Sequence, residues 1–174
     1  MNSSAARTGS INSGGIRAWA LAIRPATLTA ASGPVMVGTA LAFESGALHI
    51  GAALAALIGA TLLQVGSNLT NDASDFVKGA DTAERVGPTR AVVSGLLTER
   101  QVRLGAFAAF ALAIPFGLYL AWLGGPIMIA IGLSGIAAGV LYTAGPMPLG
   151  YIGLGDLFVM IFFGLAAVCG TYFV

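Results

Sequence analysis

The chain has 174 residues and a mass of 17.4 kDa, with 57% hydrophobic residues, 9% charged residues and a net charge of +1. Soluble domains carry roughly 25% charged residues, so the composition excludes a disordered chain, a nucleic-acid-binding domain and an ordinary water-soluble fold, and the near-neutral balance points to no polyanionic partner. The single cysteine, Cys169, excludes an intramolecular disulfide framework or a multi-cysteine metal site; inside its apolar run it reads as a small buried hydrophobe.

What remains is an all-α, polytopic transmembrane helix bundle in a lipid bilayer. Residues 1–18 form a Ser-, Gly- and Asn-rich tail that reads as flexible, and residues 19–174 form one helical domain. A span needs about 20 apolar residues, because lipid offers no partner to exposed backbone. Between Arg24 and Glu44 lie 19 uncharged residues, and between Glu44 and Asp72 lie 27, so each gap holds one helix. The next uncharged stretch, Leu104 to Gly155, is 52 residues long and breaks at Leu123-Gly124-Gly125-Pro126, a turn-forming cluster. Helices are expected near 25–43, 47–71, 104–123, 126–143 and 156–174, with a charged loop over 72–103. The last runs to Val174 with no polar flank, so the chain reads as the N-terminal part of a larger membrane domain.

Ten of the fifteen charged residues fall between Asp72 and Arg103. All eight basic residues lie either there or before the first helix, which by the positive-inside rule places the N-terminus and this loop in the cytoplasm. Glu44 and His49 fall in a short hairpin on the other side, where the histidine reads as a solvated loop residue. Within the second helix Gly51, Ala55 and Gly59 recur every four residues, as do Gly135 and Gly139 in the fourth, a spacing that lets backbones approach closely.

The chemistry concentrates in Asn68-Leu69-Thr70-Asn71-Asp72-Ala73-Ser74-Asp75-Phe76-Val77-Lys78-Gly79-Ala80-Asp81-Thr82. If the second helix continues through this run, Asn68, Asp72 and Asp75 stand at i, i+4 and i+7, within about 60° of arc, with Asn71 beside them. Hard oxygen donors of this kind suit Mg²⁺, which binds through one or two carboxylates, waters and substrate phosphates. Asn68, Asn71, Asp72 and Asp75 are the candidate metal ligands. Gly79 is a suitable helix terminator, after which Asp81 folds back toward the same cavity. Lys78, Arg85 and Arg90 are placed to bind phosphate oxygens, the arginines bidentately. Asp156 either lines the cytoplasmic rim or caps the fifth helix. The alternative for the whole segment is a solvated loop of mixed charge; against it stands the direct continuation of its polar residues from an apolar span, where polar groups are costly and usually functional.

The run Asn71-Asp72-x-x-Asp75, with the later Asp81, Arg90 and Ser94-Gly95, resembles the first aspartate-rich motif of the UbiA superfamily of intramembrane prenyltransferases. Five residues separate Asp75 from Asp81, two more than in the commoner pattern, whose last Asp falls four residues after the second, and the longer form is similar to the 1,4-dihydroxy-2-naphthoate polyprenyltransferase branch of menaquinone biosynthesis. So are Arg24-Pro25-Ala26-Thr27 and Tyr142-Thr143-Ala144-Gly145-Pro146, which leads to Gly153-Leu154-Gly155-Asp156. The resemblance covers residues 19–174. It implies a nine-helix bundle with two aspartate-rich motifs holding Mg²⁺ and a polyprenyl diphosphate at the cytoplasmic leaflet of a bacterial plasma membrane; only the first motif lies in this chain. It further implies transfer of the prenyl group to 1,4-dihydroxy-2-naphthoate with loss of diphosphate and carboxylate, giving demethylmenaquinone, with Asp72, Asp75, Asp81 and Arg90 as the catalytic set. The fragment alone is expected to be inactive. The rival readings are the same chemistry on 4-hydroxybenzoate, homogentisate, chlorophyllide or haem, an ion-coupled transporter, and a non-catalytic membrane scaffold.

Overall fold

The computed structural model of the chain describes residues 15–79, 90–142, 153 and 155–174. Helix α1 (Ile16–Ile23) stops at Arg24, which adopts φ 55° and ψ 71°. Proline disfavours the α conformation in the residue before it, and Pro25 opens a short 3₁₀ turn, Pro25–Thr27, before α2 (Leu28–Glu44) resumes. Helix α3 (Ile50–Lys78) is followed by α4 (Glu99–Gly124) and α5 (Pro126–Leu141). The last span is α6 (Gly155–Val159), a π-helical segment (Met160–Ala166) and α7 (Ala167–Phe173).

Four segments are long and apolar enough to cross a membrane: Ile16–Glu44, Ile50–Lys78, Glu99–Gly124 and Gly155–Phe173. Helix α5 is a shorter apolar helix. Large apolar side chains such as Phe43, Phe107 and Trp122 point outward with 71%, 73% and 78% exposure, which water does not tolerate in such density and lipid does. The chain is an integral membrane protein with an all-helical, polytopic architecture.

Helix α3 packs along α4 and against α2 and α5, and α2 also packs along α7. Small residues make the closest approaches. A β-carbon on Gly66 would sit 2.6 Å from the Phe110 ring of α4, and one on Gly38 would sit 2.6 Å from the Val168 carbonyl oxygen of α7. Gly135 and Gly139 of α5 face Leu63 and Ser67 of α3, as their spacing predicts. A fully buried core gathers at one end of the bundle: Ala18 and Ala22 of α1, Leu69 and Ala73 of α3, Ala91, Val92 and Leu97 of the following turn, and Val102 and Ala106 of α4.

Several element boundaries differ from the sequence expectation, each for a local reason. The charge gaps end the second helix at 71, yet α3 continues to Lys78, because Asp72 and Asp75 each gain a protein donor, and Gly79, at φ 62°, closes the helix in the left-handed region. The third helix begins at Glu99, five residues early, where Thr98 and Gln101 form a reciprocal capping box. Residues 16–23, expected partly as tail, form α1. The break at Gly125, φ 76°, lies where the turn cluster places it. His49 is more than a loop residue, since its Nδ1 accepts a hydrogen bond from the Ala52 N–H (3.1 Å) and caps α3. Cys169 is exposed on the helix surface instead of buried.

Candidate functional site

Helix α3 carries the polar residues past the apolar part of the span on one continuous backbone, so their relative placement follows from helical geometry alone. Asn68, Asp72 and Asp75 are buried together, with exposures of 4%, 1% and 4%. Burial of two carboxylates requires compensation, and the turn after the undescribed stretch 80–89 supplies it. Arg90 Nη2 donates to Asp75 Oδ2 in a buried ion pair. The Ala91 N–H donates to Asp72 Oδ2 (3.2 Å), and the positive charges of Arg90 and Arg24 both act on the Asp72 carboxylate. Ser94 Oγ donates to the Arg90 carbonyl oxygen (2.7 Å), tying that turn to itself.

Asn68 plays a different part from that expected. Its Nδ2 donates to the Ile23 carbonyl oxygen (2.7 Å) and to Thr27 Oγ1 (2.8 Å), and its Oδ1 accepts from Gln64 Nε2 (3.2 Å). Both ends of the amide are engaged, the NH₂ at the α1–α2 junction and the oxygen by Gln64, so in this arrangement Asn68 fixes α3 against that junction. The left-handed Arg24 makes the junction possible: by interrupting the helix it releases the Ile23 carbonyl to Asn68, while the Arg24 carbonyl accepts the Thr27 N–H (2.9 Å) of the 3₁₀ turn. The only non-glycine residue with positive φ among those described therefore stands beside the carboxylates, where backbone strain commonly concentrates.

Asn71 is half-buried and lines the main cavity, and Lys78 is exposed at the end of α3. Asp81 and Arg85 lie outside the described residues, as does most of Tyr142 to Pro146. Asp156 sits exposed in the first turn of α6, where a carboxylate complements the helix dipole. The sequence reading missed Arg24, Thr27 and Gln64 as members of the site. A signal for Gln64 was available, because it precedes Asn68 by four residues in an otherwise apolar span.

The donor set fits a hard divalent cation. Asp72 Oδ1 is buried and has no hydrogen-bond partner among the described residues, while the opposite oxygen is held by backbone. Among the described residues no third carboxylate, His or Cys joins Asp72 and Asp75 in a metal-sized cluster. One or two carboxylates are what Mg²⁺ uses when substrate phosphates complete its shell.

Next to these residues lies a cavity of about 500 Å³. It reaches Asn71 and Asn68 and extends along α3 past Ser67, Gln64, Gly59 and Ala56, with apolar walls from α2, α4, α5 and the last span. Its length along α3 follows from the rise of 1.5 Å per residue: residues 56 to 71 cover about 22 Å.

Residues 31–174 match the model of the UbiA prenyltransferase family. The chain is 41% identical over 166 residues to the 1,4-dihydroxy-2-naphthoate octaprenyltransferase of Escherichia coli, covering 90% of this chain and 53% of that protein. It is 44% identical over 155 residues to the protein of the same name from Mycobacterium tuberculosis, covering 89% and 53%. A UbiA prenyltransferase domain-containing protein 1 from Danio rerio is 32% identical over 155 residues, covering 87% and 45%. The chain thus spans about half the length of these relatives.

Proposed function

Because the chain belongs to the UbiA prenyltransferase family, we propose that the protein transfers a polyprenyl group from a polyprenyl diphosphate to 1,4-dihydroxy-2-naphthoate, with loss of diphosphate and carboxylate, giving the hydroquinone form of demethylmenaquinone. The observation that carries this reading is the juxtaposition of two buried, arginine-flanked carboxylates with a long apolar cavity on the same helix.

Asp72 and Asp75 are the residues that would hold Mg²⁺, with Asn71 beside them and Asp81 as a further ligand or an orienting group for the aromatic substrate. When bound, the cation supplies charge neutralisation to the diphosphate as a leaving group. The chain's own cations act on the same charge: Arg90, held by Asp75, and Arg24 stand beside the carboxylates and favour negative charge developing on phosphate oxygens, with Lys78 and Arg85 as further candidates. The Asp75–Arg90 pair also keeps the arginine in a fixed position, which lowers the reorganisation needed when substrate arrives. The cavity walls take the isoprenoid tail and exclude water from the carbon that becomes cationic. The ring carbon bearing the carboxylate attacks there, and loss of carbon dioxide restores aromaticity. The basic residues flanking the first and third helices support a cytoplasmic position for the N-terminus and for this head group.

The test is prenyl transfer by the full-length protein in membranes, with 1,4-dihydroxy-2-naphthoate and a long-chain prenyl diphosphate. Mg²⁺-dependent formation of prenylated product, abolished by Asp72→Ala and by Asp75→Ala in variants that still insert, is the expected result. Product only with 4-hydroxybenzoate or another aromatic would keep the chemistry and overturn the acceptor; no product with any acceptor would overturn the reading.

A further inference from the structure

At the end of the cavity remote from the carboxylates a methionine lies across the wall. Among the described residues of α5, Met128 alone is buried, with 6% exposure, and it lines the cavity. Its N–H donates to the Gly125 carbonyl oxygen (3.1 Å), which fixes its backbone in the first turn of α5. Its Cγ lies 2.9 Å from where a β-carbon of Gly124 would stand, and its Cε 4.0 Å from where one of Gly170 would. The thioether therefore reaches from the α4–α5 turn toward α7. Val174, another residue of the cavity wall, meets Gly124 as well, its Cγ1 2.6 Å from the same point. The depth of Met128 follows from helix register. Gly135 faces Leu63 and Gly139 faces Ser67, so α5 runs parallel to α3 with one constant offset. The same offset sets Met128 level with Ala56, about 22 Å along the axis from Asn71.

Four C–C bonds of about 1.5 Å, in zigzag, give each isoprene unit a length of about 5 Å, so the distance from Asn71 to Met128 takes about four extended units. We propose that Met128 is the residue a prenyl chain meets at about its fourth isoprene unit, and that it thereby sets chain-length preference. The inference rests on the prenyl-transfer reading, which supplies the chain; the position of the methionine does not depend on it. Side walls near Asn71 touch short and long chains alike, whereas the deep end is reached by long chains only. A closed apolar surface there senses single methylenes. Methionine suits such a place, because three rotatable bonds and a polarisable sulfur let it adapt to what presses on it, and two glycines leave the thioether its space. The resulting discrimination is graded: a chain tip that displaces the thioether is penalised and not excluded.

The experiment uses the full-length protein in lipid nanodiscs with Mg²⁺ and two photoprobes, geranyl and geranylgeranyl thiolodiphosphate, each carrying a diazirine at the end remote from the diphosphate. Labelled residues are identified by mass spectrometry. The four-unit probe is expected to label Met128 or the glycines beside its thioether, Gly124 and Gly170. The two-unit probe is expected to label the wall about 10 Å from Asn71, around Gln64 and Ile136. Labelling of Met128 by both probes, or by neither, overturns the proposal, and neither result needs a variant to fold. In steady-state kinetics Met128→Trp should lower kcat/KM for geranylgeranyl diphosphate relative to geranyl diphosphate by about tenfold, the low end of what one methylene of misfit costs in an apolar pocket; an unchanged ratio overturns the proposal. Labelling of Met128 by the long probe alone, without prenyl transfer to any acceptor, keeps the chain-length stop and overturns the transfer reading; prenyl transfer with the long probe's label elsewhere does the reverse.

Discussion

Toward the C-terminal end of α3 the face that carries Leu69, Asp72 and Asp75 is enclosed, whereas at its middle the helix borders a void. Around Leu69, Asp72 and Ala73 the neighbours are α1, the turn at 91–97 and the start of α4, and the three residues are 1%, 1% and 2% exposed. Around Gly59, Leu63 and Gln64 the same helix faces the 500 Å³ cavity. The difference teaches a division of labour along one helix. Charged groups whose positions matter to a fraction of an ångström are embedded in close-packed structure, where a displacement is resisted. An apolar chain needs room instead of fixed contacts, and small side chains leave that room.

Substitutions at the enclosed end are expected to have the largest effects. Arg90→Ala removes an ion-pair partner of the buried Asp75, and thermal unfolding in detergent should show a loss of about 3–5 kcal/mol. Asp72→Asn retains shape while removing charge; steady-state turnover of the full-length protein should fall by about 10²–10³-fold, as for loss of one electrostatic stabiliser. At the open end, Gly132 lines the cavity and a β-carbon there meets nothing within 4 Å. Gly132→Leu should leave thermal stability unchanged or raised while reducing kcat/KM for a long prenyl diphosphate about tenfold or more, consistent with the 1–3 kcal/mol of forcing extra atoms into occupied space. Geranyl diphosphate, which needs less of the cavity, should be affected less; equal losses for both lengths would erase the distinction between the two ends. The smallest effect is expected outside both regions: the Glu99–Arg103 pair at 2.7 Å joins side chains that are 35% and 61% exposed, so Glu99→Ala should shift stability by less than about 0.5 kcal/mol.

The open end was the more legible from sequence. Apolar gaps of 19, 27 and 52 residues locate spans without any knowledge of tertiary contacts, because the lipid constraint acts on each helix separately. Gly135 and Gly139 could be assigned to a packing face for the same reason. At the enclosed end, sequence located the residues and not their partners. The i, i+4, i+7 spacing of Asn68, Asp72 and Asp75 put them on one face, yet the bond from Asn68 to the Ile23 carbonyl joins residues 45 apart, and it exists only because Arg24 leaves the helical region. No periodicity encodes such a contact. The extension of α3 to Lys78 was hidden for a related reason: charge ends a membrane span in sequence, but a buried arginine and a backbone N–H allow the helix to carry its carboxylates onward.

The central claim is that Asp72 and Asp75 bind the diphosphate head group through a divalent cation while the cavity takes the chain. Calorimetric binding of a non-hydrolysable geranyl thiolodiphosphate to the full-length protein, with and without Mg²⁺, tests it most directly. The account predicts binding that requires Mg²⁺ and is lost in Asp72→Asn; equal affinity without Mg²⁺, or in that variant, would contradict it.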